Sequence, residues 1–80
     1  MIRDSDICYL FKPMHDGRKI YHRVRPDVNE MGPDRWNTFN KHEAGCTSRS
    51  AWAKRAKNWT FPNGQRWMLE EFQTGQVEVL

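Results

Sequence analysis

The sequence predicts an α+β fold, a small antiparallel sheet of three to five strands packed on one amphipathic helix in the order β-β-(β)-α-β-β. Three observations predict it. Asp16-Gly17 separates two apolar-rich runs and is a hairpin signal, because both residues tolerate positive φ. Trp52, Ala56 and Trp59 recur at i, i+4 and i+7, an apolar stripe along one side of a helix. Thr74-Gly75 turns the chain into the alternating run Gln76-Val77-Glu78-Val79-Leu80. With 80 residues the chain makes one domain, residues 1–80, with a small core and little room for a walled catalytic cleft. Its 4 Trp, 4 Phe and 2 Tyr argue against disorder despite 29% charged residues.

Taken in order, residues 7–12 (Ile-Cys-Tyr-Leu-Phe-Lys) are β-branched and aromatic and read as a strand partly covered on both faces, ended by Pro13. Residues 19–25 alternate as the second strand. Ile20, His22 and Val24 share one face, Tyr21, Arg23 and Arg25 the other, and Pro26 stops the strand. Two readings compete over residues 33–45. Pro33 can open a short helix with Asp34 in its first turn and Gly45 as its cap. Alternatively Arg35-Trp36-Asn37-Thr38-Phe39 is a third strand or irregular segment, which the poor helix formers Asn37, Thr38 and Asn40 favour.

Thr47, Ser48 or Ser50 can cap the helix expected over 49–59, with Trp52 and Trp59 as its core residues. Lys54 and Lys57 fall opposite the stripe, and Arg49 and Arg55 flank it. A turn at Pro62-Asn63-Gly64 then leads to strands over 66–72 and 76–80.

Charge is concentrated in the middle of the chain. Residues 12–66 hold 12 basic and 5 acidic residues, whereas residues 67–80 hold three acids beyond Arg66. No acid lies between Glu43 and Glu70, where Arg49, Lys54, Arg55, Lys57 and Arg66 all fall. A basic helix of this kind suits a phosphate backbone or an acidic protein surface; otherwise it is simply a solvated face. Tyr21, Arg23 and Arg25 would add a flat basic-aromatic surface if their strand face is open to solvent. If Tyr21 packs under a loop, the arginines only keep an edge strand soluble. Arg35 and Trp36, of residue types that dominate binding hot spots, lie in the irregular segment and make Trp36 the best candidate for an exposed anchor.

Nothing in the sequence assembles a reaction centre. Glu70 and Glu71 are neighbours on a strand and point to opposite faces, so they cannot share a substrate. His42-Glu43-Ala44-Gly45-Cys46 begins like a zinc-protease motif but lacks its second histidine. Cys8, His15 and His22 could in principle join His42 and Cys46 at a metal, but the spacings match no zinc framework. Cys46 with His42 as base would lack an oxyanion hole and an orienting acid. The chain is therefore expected not to be an enzyme and to need no cofactor or metal. No apolar run approaches the ~20 residues of a membrane span. The acidic start Arg3-Asp4-Ser5-Asp6 does not read as a signal peptide, so a cytoplasmic location is expected. There, Cys8 and Cys46 stay reduced, although a bridge between them is open to the sequence.

A basic helix carrying Arg49, Lys54, Arg55 and Lys57 on a few antiparallel strands resembles the small inhibitors that phages and mobile elements encode against host systems, above all those of the anti-CRISPR type. The resemblance is of size, fold and charge layout along the whole chain. It implies an inhibitor whose basic patch meets an acidic surface of a host protein or nucleoprotein complex, such as a CRISPR effector subunit, and blocks DNA binding. Many such inhibitors are acidic DNA mimics, and a net charge of +3 departs from that pattern. A competing resemblance is to DNA-binding modules of three strands followed by a helix, as in integrase arm-binding domains. It implies that Tyr21, Arg23 and Arg25 enter the major groove, and it requires a third strand at 35–39. The small net charge favours the protein partner over nucleic acid. Monomer and dimer are both open, since either sheet edge could pair two copies.

Overall fold

A computed structural model describes residues 1–26, 28–59, 61 and 64–80, with the side chains of Pro33 and Asp34 left aside. The elements run β1 (Ile7–Pro13), β2 (Lys19–His22), a 3-10 helix (Pro33–Trp36), β3 (Asn37–Thr38), α1 (Lys41–Ala44), β4 (Thr47–Ser48), α2 (Arg49–Ala56), β5 (Met68–Glu71) and β6 (Val77–Val79). The strands form one antiparallel sheet in the order β3-β2-β1-β5-β6, and β4 pairs with the start of β1. The α+β class is as the sequence predicts.

Strand β1 is the centre of the sheet, and its two faces fill two separate cores. Cys8 and Leu10 pack with Leu69, Trp67, Ile2 and the α2 residues Trp52 and Ala56. Tyr9 and Phe11, on the alternate positions, pack with Tyr21 and Ala44 on the other side. Register enforces this division: Leu10 stands opposite both His22 and Leu69, and Phe11 opposite Tyr21 and Met68. The two thiols are divided in the same way. Cys8 belongs to the helix-side core, Cys46 packs on the other, and both are free.

Helix α2 is held at three points. Ser48 is its N-cap, with Oγ accepting from Ala51 N at 3.2 Å. The N-terminal segment closes over the first turn, where Arg49 N and Ser50 N donate to Asp6 O and Asp4 O. Trp52, fully buried, donates its indole Nε1–H to Cys8 O at 2.7 Å, which ties the helix to the central strand. The helix ends at Ala56, earlier than the expected 59, and Asn58 is a poor residue to prolong it. Trp59 consequently leaves the apolar stripe and is 38% exposed, which corrects its expected place in the core.

Both readings of residues 33–45 are met in part. Asn37–Thr38 form a short strand against β2, while Pro33–Trp36 and Lys41–Ala44 make single helical turns. Gly45 does cap α1: its φ of 75° is open to glycine, and its N–H donates to Lys41 O at 3.2 Å. The second strand stops at His22 instead of Arg25, but the next residues stay bonded, Arg23 N to Trp36 O and Val24 N to Ala44 O. Pro62 and Asn63 of the expected turn lie outside the described residues.

Candidate binding face

The surface expected from Tyr21, Arg23 and Arg25 does not form. Tyr21 is buried, and its hydroxyl donates to Glu70 Oε1 at 3.0 Å. Arg23 is 5% exposed, with Nη2 at 2.8 Å from Glu30 and 3.6 Å from Glu43, so it pins the chain on either side of the 3-10 helix. Only Arg25 of the three is exposed. The carboxylates that bury this face come from distant positions, and strand alternation carries no sign of them. Glu70 accepts from Tyr21, from Lys19 at 3.0 Å and from Lys41 at 3.2 Å. Burial alone would raise its carboxyl, but those three donors outweigh it and hold Glu70 below the usual glutamate range. Glu71 turns the other way and receives the backbone N–H groups of Gln73 and Thr74 in the β5–β6 turn.

Arg49 is also taken up structurally, by Asp4 at 2.9 Å and Glu78 at 3.8 Å, and joins the N-terminal segment to β6. What remains of the basic helix is Lys54, Arg55 and Lys57, all exposed. Lys54 and Lys57 have no ion pair among the described residues. Arg55 is positioned: its guanidinium lies over Trp52, 5.5 Å from the ring centroid, and Nη1 donates to Val24 O at 2.8 Å.

Beside Arg55 lies an aromatic cluster whose hub is His22. The imidazole is stacked on Trp36, with 5.6 Å between centroids and 5° between planes. Trp59 is 4.6 Å away, Trp67 5.5 Å and Trp52 6.0 Å, so all four tryptophans surround one histidine. Burial lowers the His22 pKa; Asn37, its partner in the β2–β3 ladder, acts oppositely, and Arg55 reinforces the lowering. The sequence signal for this hub was present: alternation puts His22 on the face that meets the helix stripe.

Trp59 lines two depressions. One, a cleft of about 430 Å³, is lined by His22, Trp36, Arg55 and Trp59. Arg35, exposed, stands 5.9 Å from the centroid of the Trp36 ring. The other, a groove of about 540 Å³, runs past Lys57, Phe61, Arg66 and Trp67. Trp67 is buried and its Nε1 has no hydrogen-bond partner among the described residues. The structure thus brings Trp36, Arg55 and Lys57 together around Trp59, with Arg35 against Trp36 and Lys54 exposed on α2, while Tyr21 and Arg23 are buried and Arg49 is held in ion pairs.

Among the described residues, no group of three or more His, Cys, Asp or Glu comes together as a metal site, and no helix is long and apolar enough to cross a membrane. Burial raises the Cys8 thiol to about 11 and also raises that of Cys46. Compared with known proteins, the chain matches no family model, no curated sequence and no solved structure.

Proposed function

We propose that this chain is a non-enzymatic binding protein that docks the α2 side onto an acidic surface of a nucleic-acid-processing complex and blocks DNA binding there. One observation carries the reading: Lys54 and Lys57 are exposed and unpaired among the described residues, on an element whose Lys57 shares a groove, and whose Arg55 shares a cleft, with the partly exposed Trp59. Cations without internal partners gain nothing for the fold, and together with indole rings they have the composition of an interface anchor. The thiol chemistry supports a binding role. A buried Cys8 with a raised pKa stays protonated at neutral pH and is a poor nucleophile. The inhibitor part of the reading, and the choice of a CRISPR effector as target, draws on the resemblance in size, fold and charge layout.

The test is a DNA-loading assay with purified CRISPR effector complexes of different architectures, each preincubated with the chain. Loss of target-DNA binding by one of them at stoichiometric protein is the expected result. Unchanged loading for every complex at saturating protein would remove inhibition from the reading. If the chain shifted duplex DNA directly, with affinity falling steeply as salt rises, the partner would be nucleic acid instead.

A further inference from the structure

We propose that the cleft between Trp36 and Trp59 is a site for an unpaired nucleotide, with the base against the indoles and its phosphate on Arg55. This goes beyond the docking reading and does not depend on it. The cleft has an aromatic lining in His22, Trp36 and Trp59, and the one charged side chain that lines it among the described residues is the cationic Arg55. Its volume, about 430 Å³, falls among small-ligand sites. Flat aromatic walls beside a guanidinium are the elements with which proteins hold single-stranded nucleic acid: bases stack on the rings and cations follow the backbone.

Charge selects among planar ligands. An aromatic cage for a methylammonium group needs a neutral or acidic surround. Here Arg55 lines the cleft and Arg35 stands at the Trp36 ring, so a cation would be repelled. Among the described residues, no acidic side chain lines the cleft. A phosphate-bearing base satisfies both halves of the site. Arg55 is already oriented by Val24 O through Nη1 and by its place over Trp52, which leaves other N–H groups of the fork for a phosphate. A base inside a duplex would have to leave its stack to reach the indoles, so the ligand is a single-stranded segment. An acidic peptide could pair with Arg55, but it would leave the aromatic walls unused.

The test is an NMR titration of the isolated chain, following the four indole N–H signals. The probes are hexathymidylate, thymidine monophosphate, ribose 5-phosphate and a hexaglutamate peptide. Both thymidine probes should move the Trp36 and Trp59 signals saturably and leave that of Trp52, bonded to Cys8 O, in place. Trp59→Ala should weaken hexathymidylate binding about tenfold or more. Arg55→Gln, which keeps a donor for Val24 O, should weaken it several-fold and is the second variant should Trp59→Ala unfold. Equal shifts with ribose 5-phosphate would reduce the site to phosphate attraction and overturn the proposal. Equal shifts with hexaglutamate, or none with any probe at millimolar concentration, would also overturn it. None of these failures touches the docking reading, which is measured with intact complexes.

Discussion

The imidazole of His22 and the indole of Trp36 lie parallel, 5° apart in plane and 5.6 Å between centroids. The contact joins β2 to the 3-10 helix, and the other three tryptophans complete a shell around the same ring. Protonating His22 places a charge inside that shell. Because burial and Arg55 depress its folded pKa, the unfolded chain binds the proton more tightly. Stability from this group is therefore complete above about pH 6.5, the unfolded value, and falls as acid is added through the window below it. Urea denaturation midpoints at pH 7.5, 6 and 5, read with tryptophan fluorescence, check this. His22→Phe, which keeps a ring but cannot titrate, should flatten the dependence in that window.

Glu70 links Lys19, Lys41 and Tyr21 beneath the second core. Its folded pKa lies below the unfolded one, so its contribution holds above about pH 4.5 and disappears as pH falls through the folded value. Glu70→Gln should cost about 2 kcal/mol at neutral pH, and Tyr21→Phe about 1 kcal/mol. Measured as a double-mutant cycle, the pair should be non-additive, since each change removes the same hydrogen bond.

Trp52 is the largest fully buried side chain and carries a buried hydrogen bond to β1. Trp52→Ala should cost about 3–5 kcal/mol, a large share of the stability of a small domain. Trp52→Phe should cost less while still losing the bond to Cys8 O. Thermal melts of the two variants should rank them in that order.

Ser48 is the N-cap, as one of the sequence alternatives has it. Ser48→Ala should lower stability by about 1 kcal/mol and Ser48→Asp should retain it. If Ser50→Ala proved the more damaging change, the capping assignment would be wrong.

Local chemistry was readable from sequence where an element was long enough to show a period. β1 with its turn at Asp16-Gly17, the C-terminal hairpin, the Trp52–Ala56 stripe and the opposed faces of Glu70 and Glu71 all belong to this class. Residues 33–48 do not, because two-residue strands and single helical turns are too short to repeat a period. Exposure was the larger difficulty. Tyr21 and Arg23 look like a basic surface until Glu70, Glu30 and Glu43 are brought to them by folding. Trp59 looks like core until the helix stops three residues short of it. What could be read was the charge of α2; what could not was which of its cations the fold consumes.

The central claim is that the remaining free cations make the contact. Its most direct test compares the native chain with Lys54→Glu/Lys57→Glu in the DNA-loading assay. Both side chains are exposed, so the double variant should keep its stability within about 0.5 kcal/mol. The account expects it to fold normally and to leave DNA loading unblocked. A folded double variant that blocks loading as well as the native chain would contradict the account and remove the α2 face from the mechanism.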